Sequence, residues 1–356
     1  MARDSGFSLI EVLVATVLTM SLTGAVLSLV GPSTAQSPVL AEAIDLSQRA
    51  RVADDLLFQD LSKAGAGFSA GPRLGALVEA FAPVVPRRMG LTSPDPFTMA
   101  RPDALTIRYV PQTASQTTLA TFSLAPTAHL SVTNAAGCPA SPLCGLGQGT
   151  DLFIFDDEGH ADTFTVTQVQ GAVGWLQAHD VPPTYQFQPG AAVAEAVSRT
   201  YYFDPAQRQL RMYDGSQTDV PVVDHVVGLT FAYFGDPNPP LAPQPALGTA
   251  NCLFDAAGHL DPALSTLPGP SGALVPLPLA MFADGPWCGV GASRFDADLL
   301  RIRQVRVTVR LEATQTMFRA AGPAFANPGT ATSALFALPD VDLVFDVSPR
   351  NMNLRR

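Results

Sequence analysis

Gly6-Phe7-Ser8-Leu9-Ile10-Glu11-Val12-Leu13-Val14-Ala15 opens an apolar run that continues to Val30. Between Phe7 and Val30 the only charged side chain is Glu11. These 24 residues make a helix about 36 Å long, enough to cross a hydrocarbon core of about 30 Å. A carboxylate in such a span is costly, roughly 2.5–3.5 kcal/mol at mid-bilayer and less near the surface. Its presence therefore asks for a function and for a cationic partner.

The rest of the chain carries a soluble domain. The sequence has 356 residues, 47% of them hydrophobic, with a net charge of −10. That is enough apolar material for one large domain or two small ones. The acidic balance argues against non-specific nucleic-acid binding. No Lys/Arg cluster exceeds Arg87-Arg88 or Arg355-Arg356, and Lys63 is the only lysine. Prolines and glycines concentrate in 236–292, which reads as long surface loops.

Past the span, Gly31-Pro32 and Pro38 are expected to interrupt the helix, because proline lacks the backbone donor. Helical periodicity resumes near Val39. Leu46, Ala50, Ala53, Leu57, Leu61 and Ala64 form an i+3/i+4 stripe, with Gly65 suited to the position after the last turn. Beyond residue 100 the period changes to two. Strands are expected at 104–110, 151–155, 163–169, 198–204, 209–213, 226–234, 302–312 and 341–347. The fold class is α+β: one long N-terminal helix packed on an antiparallel β-sheet domain with long loop inserts.

Gly6-Phe7 followed by Glu11 and a charge-free tail resembles the processing site of type IV prepilins and type II secretion pseudopilins. The resemblance implies cleavage between Gly6 and Phe7 by a prepilin peptidase and methylation of the new Phe7 amine. It implies that Glu11 pairs with the N-terminal amine of a neighbouring subunit, each group relieving the other's burial cost. Looser likenesses to PilW-type minor pilins and J-type pseudopilins lie in Asp60-Leu-Ser-Lys-Ala-Gly65, Arg199-Thr-Tyr-Tyr-Phe-Asp204, Val223–Phe234, Val305–Val309 and Phe345–Asn353. On this reading residues 1–6 are a leader and 7–30 the membrane and filament-core helix. Residues 31–65 are a periplasmic amphipathic helix, and 66–356 a periplasmic β-rich domain with a 236–292 insert. The implied partners are the peptidase, other minor pilins, the major pilin and the inner membrane. An ordinary secretory signal cut after Ser33-Thr34-Ala35 competes, but its apolar core would be too long and would contain Glu11.

Four cysteines, Cys138, Cys144, Cys252 and Cys288, allow three pairings. Sequence proximity favours Cys138–Cys144 and Cys252–Cys288 in an oxidising compartment. Zinc fits poorly, since no C-x-x-C pair is present. Asp156-Asp157-Glu158-Gly159-His160-Ala161-Asp162 reads as a hairpin turn, with a calcium site as the competing reading. No nucleophile elbow, His-Glu-x-x-His helix or phosphate loop is present, so no catalytic residue, metal or cofactor is expected. Trp175 and Trp287 read as partly buried anchors. The sequence thus points to a non-catalytic filament component. A tip adhesin using the 236–292 insert and a membrane-anchored enzyme are the alternatives.

Overall fold

The computed structural model describes residues 8–66, 82–111, 116–121, 129–133, 143–156, 161–171, 174–178, 186–241, 244–245, 248–270, 272–289, 294–349 and 352. It shows an N-terminal apolar helix followed by a predominantly antiparallel β domain, the α+β architecture.

Helix α1 runs without a break from Leu9 to Lys63, 55 residues. Pro32 and Pro38, expected to interrupt it, lie inside it. Each proline deletes one i→i−4 bond, and the bonds on either side carry the helix through. Leu9–Val26 is predominantly apolar, with Glu11 its one charged side chain, is exposed, and is long enough to cross a membrane. In the C-terminal half, Leu46, Ala53, Leu57, Leu61 and Ala64 of the expected stripe are buried. Gly65 comes next with φ 72°, where a side chain would be strained, and donates its N–H to the Arg108 carbonyl at 3.0 Å.

The chain divides into two compact units. One comprises 1–50 and 311–341; the other comprises 51–310 and 342–356. Inside the first, Arg49 donates to the Glu312 carbonyl at 3.2 Å and pairs with Asp45 at 2.7 Å. Glu42 accepts the Thr314 N–H. The buried Glu312 carboxylate pairs with the buried Arg319 at 2.7 Å and accepts from Asn327 at 2.9 Å, so the ion pair is hydrogen-bonded as its burial requires.

The second unit holds the sheets. Strands β1 (Val84–Val85) and β2 (Ala104–Tyr109) start a five-stranded sheet. The chain then leaves it to build a separate six-stranded sheet. Its members are β3 (Gln116–Thr118), β4 (His129–Ser131), β5 (Asp151–Phe155), β6 (Ala161–Gln170), β7 (Trp175–Ala178) and β8 (Ala192–Glu195). Their order is β3-β8-β5-β6-β7-β4. A bridge between Leu119 and Val132 joins the two ends, with Ala120 N–H to Ser131 O and Thr133 N–H to Thr118 O, both 2.8 Å. The sheet is therefore a closed barrel. Within it, β8-β5-β6-β7 is a Greek key: three consecutive strands and a fourth returning beside the first. Leu119, Leu130, Val132, Leu152, Ile154, Val166, Leu176 and Val193 fill it.

The chain returns as β9 (Val197–Asp204), then β10 (Gln209–Tyr213) and β11 (Asp219–Asp224), giving the order β1-β2-β9-β10-β11. Tyr109 and Val197 are direct register partners. The barrel is thus spliced into the tip of a β2–β9 hairpin. A second sheet, β13-β12-β16-β17, combines β12 (Val226–Gly235), β13 (Val275–Leu277), β16 (Ile302–Leu311) and β17 (Val341–Val347), while β14 (Trp287–Cys288) pairs with β15 (Phe295–Asp296). His225 is the left-handed turn residue before β12 (φ 56°). The 236–292 region, expected to be loop, contributes β13 and β14. Pro276 fits because β13 is an edge strand, where a missing donor costs least.

Since Tyr109 and Val197 already oppose one another, a two-residue Asn-Gly turn can replace 110–196. The expected product keeps a cooperative thermal transition and β-rich circular dichroism, at a lower melting temperature because Val110 and the junction contacts are lost. A non-cooperative melt would show that the barrel completes the scaffold.

Candidate functional site

Two places on α1 hold a carboxylate with defined partners, the first picked out by the sequence and the second found in the structure. The first is the start of α1. Ser8-Leu9-Ile10-Glu11 has the S-x-x-E spacing of a capping box. Its reciprocal half is formed: the Glu11 Oε2 accepts the Ser8 backbone N–H at 3.0 Å. The Ser8 carbonyl accepts from the N–H groups of Glu11 and Val12 at 3.0 and 3.2 Å. The carboxylate therefore lies at the positive end of the helix dipole, folded back onto the Ser8 N–H. Gly6 and Phe7 lie outside the described residues.

The second is the end of α1. Asp60 is buried, yet its carboxylate is saturated. Tyr201 OH donates at 2.6 Å, Arg199 Nη1 at 2.7 Å and Lys63 Nζ at 2.9 Å. Burial alone would raise the Asp60 carboxyl; the hydrogen bonds from Tyr201, Arg199 and Lys63 and the Arg199 charge overcome it and hold it below the usual range. Burial, then the Asp60 charge, pushes the Tyr201 hydroxyl far up, so it stays a donor. Two segments read separately in the sequence, Asp60–Gly65 and Arg199–Asp204, meet at this carboxylate. They lie about 140 positions apart, and no spacing signal could have paired them.

Cys252 and Cys288 form a disulfide with Cα atoms 5.1 Å apart, closing a 36-residue separation. Cys144 is disulfide-bonded, while Cys138, its expected partner, lies outside the described residues. Of the acidic cluster at 156–162, residues 157–160 also lie outside them. The flanking strands pair with Phe155 opposite Ala161, as a hairpin requires. A different acidic group comes together in space: Asp284, Asp296 and Asp298 bring carboxylate oxygens within 4.8 Å of one another. Two of them already have structural work. Asp296 accepts the N–H groups of Asp284, Gly285 and Asp298, and Asp298 pairs with Arg301 at 2.6 Å. Burial pushes both carboxyls up to about 6.

Residues 1–27 match the model of the prokaryotic N-terminal methylation motif. No curated protein and no solved structure matches the chain. The motif marks the chain as type IV pilin-like, a pilus or pseudopilus component. It implies processing by prepilin peptidase, assembly with other pilins and membrane association. The apolar Leu9–Val26 helix is consistent with single-pass anchoring in the inner membrane.

Asp60 sets an acid limb of stability. A carboxyl held low in the folded state contributes fully above the ordinary carboxylate range, near about 4, and that contribution is lost as pH falls through the lowered value. Asp60→Asn should flatten the fall in melting temperature between about pH 5 and 3. Asp60→Ala, which strands Tyr201 and Arg199, should cost about 2–4 kcal/mol at neutral pH, moderated because Arg199 reaches water. An acid limb identical to that of the unmodified chain would remove Asp60 from this role.

Proposed function

We propose that the chain is a minor pilin or minor pseudopilin, a non-catalytic subunit that initiates or caps a type IV pilus-like filament. The observation that carries the reading is the joint N-terminal pattern: Gly6-Phe7, Glu11 in the first turn of the helix, and an exposed apolar helix behind it. The size of the β domain supports it. A five-stranded sheet, a four-stranded sheet and a closed barrel make a bulky head, suited to a filament end rather than to a densely repeating lateral position.

The mechanism is physical. The Leu9–Val26 helix holds the subunit in the inner membrane, with the domain from residue 66 onward on the periplasmic side. Cleavage after Gly6 frees the Phe7 amine, one residue from the Ser8 N–H that Glu11 holds. In an isolated subunit the carboxylate satisfies itself on its own helix end. In a filament, the amine of a neighbour offers a full positive charge in low dielectric, a stronger partner than a backbone N–H. Exchange of the local bond for the intersubunit pair sets the axial register of one helix against the next.

Mass spectrometry of the N-terminal peptide tests processing: the expected mature chain begins at N-methyl-Phe7. A mature end at Gln36 would mark an ordinary signal peptide and end the reading. Glu11→Ala should insert in the membrane at wild-type levels yet be at least tenfold depleted from sheared filaments or the tip complex. Normal incorporation of the variant would remove the pairing role.

A further inference from the structure

The barrel has an outer face for which the scaffold has no use. Along β6, β7 and β4, Val169, Leu176 and Leu130 face the barrel core, and the bulge between Val166 and Gln168 shifts the phase so that both Val166 and Val169 face inward. The alternating residues Gln168 and Gln170, Trp175 and Gln177, His129 and Ser131 therefore project outward. The register sets them in two rows of three: Gln170–Trp175–Ser131 and Gln168–Gln177–His129. With strands about 4.8 Å apart and alternate residues about 6.8 Å apart, the grid covers about 10 Å by about 7 Å. Across its diagonal the His129 imidazole stacks on the Trp175 indole, ring centroids 4.0 Å apart and 11° from parallel. That contact fixes the orientation of the indole.

The chemistry of this grid is unusual for the chain. Three carboxamides, a hydroxyl, an indole and an imidazole stand together with no carboxylate, ammonium or guanidinium among them, on a protein of net charge −10. Each carboxamide offers two donors and an acceptor. The His129 Nδ1 is buried and has no hydrogen-bond partner among the described residues. Among the six residues of the grid an anionic ligand would find no cation and a cationic ligand no carboxylate. An added β-strand would find no open edge, because β3 and β4 close the barrel. An apolar partner would bury the carboxamides unpaired, which costs free energy for each of them. A neutral polyhydroxylated ring satisfies all the groups at once: its hydroxyls exchange donors and acceptors with the amides, and its C–H face lies on the indole.

We propose that the β6–β7–β4 face of the barrel binds neutral carbohydrate. The splice at Tyr109 and Val197 places this face on a module that the β2–β9 pairing does without, so ligand binding and scaffold are separable. The inference does not depend on the filament role.

The test uses the full-length chain in a zwitterionic, non-glycosidic detergent, applied to a printed array of neutral and acidic mono- and oligosaccharides, with hits titrated by calorimetry. Wild-type protein should bind neutral sugars. Trp175→Ala and Gln177→Glu should each weaken that binding at least tenfold while keeping the wild-type melting profile, the second by placing a carboxylate in the grid without removing packing. Trp287→Phe, remote in the fold and packed on Phe97, should bind as wild type. An array without neutral hits, binding confined to sialylated or sulfated sugars, or full binding by both folded grid variants would overturn the proposal.

Discussion

A single buried carboxylate decides how the helix meets the sheet. Asp60 lies on the last turns of α1, and the donors that satisfy it, Arg199 and Tyr201, lie on β9. The helix end is held a second time by backbone: Gly65 donates to Arg108 and Ala66 accepts from Val110, at the far end of β2. Apolar contact by Leu57 and Leu61 supplies burial but little direction, since hydrophobic packing tolerates sliding. The charged hydrogen bonds supply the register, because an unsatisfied Asp60 in that place is far costlier than a shifted methyl group.

The same helix answers to two solvents. From Leu9 to Val26 every described side chain is exposed, and its hydroxyls fold back on the backbone, as Thr19 does to Ala15 and Thr23 to Thr19, both at 2.7 Å. That is how polar side chains are made tolerable in lipid. Beyond Val39 the buried positions narrow to one stripe, and the opposite side still carries Leu40, Ile44, Val52 and Phe58 exposed.

Much of this was legible in order of locality. The span, the stripe and the long strands read directly, because their periods are strong and their lengths sufficient. Strands 151–155, 209–213 and 341–347 fall at their expected bounds. The barrel did not read. Its strands β3, β4, β7 and β8 are three or four residues long, too short to establish alternation, and its closure rests on a contact between Leu119 and Val132 that no period announces. The prolines misled in two places for one reason: at 32 and 38 the lost donor is tolerated by a long helix, and at 276 by an edge strand. At the candidate site, Glu11 stood out as a lone charge, whereas Asp60 was one acid among many until β9 was laid beside it.

The splice of the barrel into the β2–β9 hairpin has a mechanical meaning. Tension applied between the N-terminal helix and the C-terminal strands need not pass through 110–196, because six consecutive register pairs from Ala104↔Tyr202 to Tyr109↔Val197 bridge its two stalks. Until that ladder parts, the barrel is off the load path. A pulling experiment should meet it last, as extra contour length released only after the sheet itself has yielded.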